Sequence, residues 1–111
     1  MPSSKSYLEF VLEQISELNN VSYRYMMGEY VIYYQKKVIG GIFDDRLLLK
    51  PTQSALKIMN ESDIPCQMVI PYKNAKEMLV ADIDDIDLTC SLIRAIADDL
   101  PMPKEKSKLK S

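Results

Sequence analysis

Four aspartates crowd one short stretch, at Asp82, Asp84, Asp85 and Asp87. Closely spaced carboxylates are the raw material of calcium and magnesium sites. An EF-hand loop also needs a central glycine and a distal glutamate, and this stretch has neither. Ile83 and Ile86 interrupt the run, and an amphipathic segment follows directly. Carboxylates ahead of a helix accept from its free amides and suit its positive end. Capping is therefore the role expected of these aspartates, and no metal ligands are assigned.

Two cysteines, Cys66 and Cys90, form no Cys-x-x-Cys pair, and the chain has no histidine. That closes every mechanism built on a histidine base and makes a structural zinc site improbable. Two reduced thiols serving as small apolar residues are expected. Carboxylate, lysine, tyrosine or lone-thiol chemistry stays open, but no catalytic constellation is visible. No phosphate-loop or dinucleotide pattern occurs either, so no cofactor is assigned.

Arg46 and Lys50 lie an even number of positions apart on one predicted strand, hence on one face. They can pair with Glu29 or Asp45, or form an anion site. Gly40-Gly41 sits inside a predicted strand, where glycine costs up to roughly 1 kcal/mol relative to alanine. A bulge or bend is the expected reason, and a backbone-binding groove is the alternative. Tyr23, Tyr25, Tyr30, Tyr33, Tyr34 and Tyr72 are many aromatics for one sheet. Alternation puts Tyr33 opposite Tyr30 and Tyr34. Aromatics on an uncovered face suggest a partner surface.

The elements that must position these residues can be read in order. Leu8, Val11, Leu12, Ile15 and Leu18 recur at helical steps, with Ser4 or Ser6 as N-cap and Asn19-Asn20 as the stop. Four strands follow between about 21 and 50, joined by turns at Gly28, Gln35-Lys36-Lys37 and Asp44-Asp45. Connections this short make neighbours antiparallel. Thr52 caps a short helix to Met59. Cys66 to Tyr72 is extended but broken by Pro65 and Pro71. Glu77 to Ala81 is a fifth strand. A last helix runs from about Asp85 to Leu100. Asp98 and Asp99 at its end are mildly unfavourable for the helix dipole.

The expected fold is α+β: two layers, a mainly antiparallel sheet of about five strands, and helices on one face, in the order α-β-β-β-β-α-β-α. At 111 residues, one domain is expected over residues 1–103, with a basic, disordered tail over 104–111. Net charge is −2; Lys104, Lys106, Lys108 and Lys110 against Glu105 give the last eleven residues +3 and leave −5 elsewhere. An acidic body argues against broad capture of a nucleic-acid backbone. No membrane-spanning run and no secretory leader pattern are visible, so a cytoplasmic location is expected.

Several strings occur together: Met26-Met27-Gly28-Glu29-Tyr30, Gly40-Gly41-Ile42-Phe43-Asp44-Asp45-Arg46-Leu47, Lys50-Pro51-Thr52, and Pro71-Tyr72 with Ala75-Lys76-Glu77-Met78-Leu79. In combination they resemble the TfoX/Sxy amino-terminal domain family over about residues 5 to 100. The resemblance implies an α+β domain with a topology like secretion-chaperone folds. It also implies a link to regulators of natural competence that act on transcription with the cyclic-AMP receptor protein. It carries over no catalytic residues. Glu29, Asp45, Arg46 and Lys50 fall at family-like positions, where holding the strand turns together is one role.

The expected function is a regulatory or protein-interaction module, not an enzyme, which binds a protein partner or a second copy of itself. The residues expected on the interaction surface are Glu29, Tyr33, Arg46, Lys50 and Tyr72. The alternative is a small-ligand-binding domain or minor enzyme using the Arg46/Lys50 face.

Overall fold

The computed structural model describes residues 4–101. The tail expected over 104–111 lies outside them. Three helices and six strands follow the order α1 (Lys5–Gln14), β1 (Val21–Met26), β2 (Glu29–Tyr34), β3 (Lys37–Phe43), β4 (Arg46–Leu49), α2 (Gln53–Glu61), β5 (Met68–Val69), β6 (Met78–Val80) and α3 (Ile86–Asp99). The strands form one open antiparallel sheet in the order β1-β2-β3-β4-β6-β5. The sheet thus has one strand more than the sequence suggested. The addition is β5, two residues within the stretch between Pro65 and Pro71.

The first four strands form a meander closed by two-residue turns. Met27 and Gly28, Gln35 and Lys36, and Asp44 and Asp45 all have positive φ, between 52° and 87°. Positive φ at both central residues defines the type I′ turn, whose twist matches that of the flanking strands. Lys37, expected in a turn, instead opens β3, and its Nζ donates to the Ala97 carbonyl at 2.7 Å. A cation at the carbonyl end of α3 suits the helix dipole.

A bulge interrupts β3. Ile32 faces Gly40 but Tyr33 faces Val38, so Ile39 is the extra residue. Gly40 lies between Ile32 and Leu49 on its two neighbouring strands. A Cβ at Gly40 would press on the Leu48 carbonyl oxygen and lie 2.9 Å from the Leu49 Cα. Bulge and close approach together explain the glycine pair.

All three helices cover the same face. Tyr30, Ile32 and Tyr34 of β2 are buried there with Ile42, Leu47, Leu49 and Leu79. The helices contribute Leu8 and Val11, then Ala55 and Met59, then Cys90, Leu92, Ile93 and Ile96. Burial of this apolar surface is the main force holding the layers together. α1 ends earlier than its periodicity suggested, at Gln14. Ile15 and Leu18 still enter the core, carried by tight turns in which Ser16 bonds back to Glu13 and Leu18 to Ile15.

Caps secure the helix starts. The Ser4 hydroxyl accepts from the Tyr7 amide at 3.1 Å, and Asp45 Oδ1 accepts from the Ser4 amide at 2.8 Å. The β3–β4 turn therefore anchors α1. Asp85 caps α3 by accepting from the Leu88 amide at 3.2 Å, while Asp82 Oδ1 accepts from the Asp84 amide at 3.1 Å. The aspartate run is thus built into the helix start.

Asp99, unfavourable within its own helix, has a tertiary role. Its carboxylate accepts from the Ser54 amide at 2.8 Å and the Ser54 hydroxyl at 2.7 Å, at the amino-terminus of α2. These Ser54 bonds, with a further one from Thr52, hold the Asp99 carboxyl below its ordinary value of 3.8. A depressed carboxyl stabilises the fold fully above its ordinary value and ceases to do so as pH falls through the folded value. Asp99→Ala is therefore expected to lower the thermal midpoint at neutral pH. Its deficit against the unsubstituted protein should shrink in melts taken at successively lower pH. A deficit constant across the acid range would contradict the cap.

Candidate functional site

The face opposite the helices is where the sheet meets no second layer of secondary structure. Strand alternation places Met26, Glu29, Val31, Tyr33, Phe43, Arg46, Leu48 and Met78 on it, in register with one another across the sheet. The chain between β5 and β6 crosses part of this face. Tyr72, in that connection, sets its ring against Phe43 with centroids 6.1 Å apart. Its carbonyl accepts from the Ala75 amide at 3.0 Å, which tightens the connection into a turn.

Phe43, Pro71 and Tyr72 form a wall with a groove on each side. One groove, of about 690 Å³, runs past Lys50, Thr52, Ala75, Lys76, Glu77 and Met78. The other, of about 470 Å³, is lined by Met26, Met27, Glu29 and Val31. The second is the more apolar, with one carboxylate on its rim. Met27 at the hairpin tip is 96% exposed and Tyr72 is 63% exposed. Both side chains border the smaller groove.

The five residues expected on the surface are only partly brought together. Tyr72 lines both grooves, Glu29 lines the smaller and Lys50 the larger. Tyr33 and Arg46 share the face but line neither groove. Arg46 and Lys50 therefore do not converge on one anion site. Nor is either in an ion pair among the described residues, where Arg94 with Glu17 at 3.0 Å makes the salt bridge. The carboxylates considered as their partners are directed elsewhere. Asp45 bonds the start of α1, and Glu29 Oε1 accepts from the Asp44 amide at 3.3 Å. Both tie turns together.

Met26, Val31, Phe43, Pro71 and Lys76 were not among the residues expected on the interaction surface, although all but Val31 lie in the strings that carry the family resemblance. For the strand residues a signal existed: alternation sets Met26 and Val31 on the face of Tyr33. For Pro71 and Lys76 no periodicity placed them on this face, because their position depends on how the β5–β6 connection folds over the sheet. Tyr23 and Tyr25 lie on the helix side, opposite Ile32 and Tyr30, and remain exposed. Cys90 is buried in the core and Cys66 is exposed. Among the described residues no group of carboxylates and thiols is arranged to hold a metal ion, and no helix is long and apolar enough to cross a membrane.

Fold and surface together define a class: a two-layer α+β domain whose open antiparallel sheet carries helices on one face and a grooved apolar surface on the other. Within it, the chain belongs to the family of the "uncharacterized 12.7 kDa protein in trpE 5′ region" of Spirochaeta aurantia. The two are 35% identical over 114 aligned positions, covering 100% of this chain and 96% of that relative. No family model matches the chain, and no solved structure matches it.

Proposed function

We propose that this chain is a protein-interaction module that receives an apolar segment of a protein partner on the open face of its sheet. The observation that carries this reading is the pair of grooves on either side of the Phe43–Tyr72 wall, with Met27 and Tyr72 exposed at their rims. Such side chains bury well against a partner and poorly against water. The resemblance to the TfoX/Sxy amino-terminal domain supports a regulatory role, in control of transcription for competence. The absence of histidine from the sequence and the scatter of Arg46 and Lys50 favour binding over catalysis.

The test places a photo-crosslinking residue at Met27 in one sample and at Glu9, on α1, in another. Illumination in cells should join the Met27 sample to a defined partner. Tyr72→Ala should reduce that adduct about tenfold or more, the loss typical of an interfacial aromatic. Adducts equally strong from Glu9, or indifferent to Tyr72→Ala, would overturn the reading.

A further inference from the structure

β1 lies at one end of the sheet, and among the described residues its outer edge pairs with nothing. All its residues after Val21 are exposed. It has no proline, and its register with β2 runs unbroken from Val21↔Tyr34 to Met26↔Glu29. The opposite edge is different in kind. β5 is two residues long, with Pro65 and Pro71 nearby on either side. Short strands and prolines blunt a sheet edge, whereas a long flat edge invites another strand.

The backbone of β1 has a definite polarity. The Asn20 carbonyl accepts from the Gln35 amide at 3.0 Å. Antiparallel pairs alternate between bonded and non-bonded, so Ser22, Arg24 and Met26 also turn their N–H and C=O groups toward β2. The two-residue turn at Met27–Gly28 requires the same phase, because its closing pair is bonded. Val21, Tyr23 and Tyr25 therefore turn their backbone groups outward.

We propose that β1 pairs antiparallel with β1 of a second copy of this chain, about a two-fold axis through Tyr23, joining the two sheets into one. In this register Tyr23 faces Tyr23 of the second copy and Val21 faces Tyr25. Every outward-turned residue then meets another, which gives roughly six backbone hydrogen bonds. A register centred on Ser22 or Arg24 gives roughly four, and the latter sets arginine against arginine. The side chains agree with the backbone. Tyr23 and Tyr25 pack edge-on to Tyr30, at 5.9 and 5.2 Å between centroids, and no helix covers them. Aromatic and β-branched pairs across such a seam are stabilising. On the other face Ser22 meets Arg24, with no like charges opposed. This inference does not rest on the open-face reading, since it uses the backbone edge of the sheet, although Met26 at the end of β1 also lines the smaller groove.

Sedimentation velocity tests it. The unsubstituted protein is expected to sediment at twice its 12.7 kDa. Tyr23→Lys and Tyr23→Glu should each sediment as monomers, because like charges meet at the axis, and their mixture should recover the dimer. Far-UV circular dichroism checks that both variants fold. Amide exchange on the unsubstituted protein needs no variant. At a total concentration about a hundred times the dissociation constant roughly one chain in fifteen is monomeric, so the Val21, Tyr23 and Tyr25 amides should exchange about fifteenfold more slowly than in the monomer. A monomeric unsubstituted protein, charged variants that remain dimeric, or those three amides exchanging unprotected would overturn the proposal.

Discussion

Gly40→Ala is expected to destabilise the protein by about 1–3 kcal/mol, the usual range for overpacking a filled site. In a domain of this size that is a fall of roughly 5–20 °C in Tm. The reason is local and rigid. The added methyl group would meet the Leu48 carbonyl oxygen and the Leu49 Cα, both of them backbone in the neighbouring strand. A side chain can swing aside, but a paired strand cannot. Relief would require β3 and β4 to separate at the point where the Ile39 bulge already bends the ladder. Gly41→Ala is a useful companion. Its methyl would lie 2.6 Å from the Tyr30 carbonyl oxygen and 2.7 Å from Phe43 Cε1, on the groove side. It should also destabilise, and it should disturb the Phe43–Tyr72 wall in addition. Thermal melts of both variants check this. A Gly40→Ala variant with the Tm of the unsubstituted protein would show that the two strands are not so closely apposed.

The features legible in the sequence were those set by local chemistry. Thr52 and Asp85 cap α2 and α3 as their side-chain chemistry suggested, the Thr52 hydroxyl accepting from the Ala55 amide at 3.4 Å. Asn20, expected to stop α1, does have a left-handed φ of 64°, but the helix is already capped at Ile15 and Asn20 instead leads into β1. The glycine pair in β3 marks a bulge. Tyr33 stands on the opposite face from Tyr30 and Tyr34, whose burial alternates along β2 as a half-covered strand requires.

The features that escaped were those set by distant partners. β5 lies in a stretch that reads as extended, but two residues between prolines become a strand only when β6 lies beside them. β6 itself pairs with β4 across an intervening helix, so its place in the sheet is a tertiary fact. Asp99 looked unfavourable because the rule applied to it concerns its own helix, whereas the structure points its carboxylate at the start of α2. The candidate site follows the same division. Alternation could place Tyr33, Arg46 and Lys50 on one face. Only the path of the β5–β6 connection decides that Tyr72 and Lys50 line a groove while Arg46 and Tyr33 do not.

The second large effect expected concerns access to the two faces of the sheet. Val31 lies on the groove side, half-buried, while Cys90 on α3 is fully buried against the other side. Burial also pushes the Cys90 thiol up, with the Glu17 carboxylate adding to the shift, so little reactive thiolate forms there. A thiol in the core reacts only when the structure opens, which costs a large part of the global stability. A thiol in an open groove needs no such opening. Valine to cysteine is a small change at a half-buried position, so the fold should persist.

Thiol labelling under native conditions, in a chain carrying Cys66→Ser to remove the exposed native thiol and Val31→Cys to place one in the groove, compares the two directly. The groove thiol is expected to react without unfolding, and Cys90 to react more slowly by a factor on the order of 10³ or more. Equal protection of both thiols would mean that the sheet is covered on each side, and the open face proposed as the docking surface would not exist.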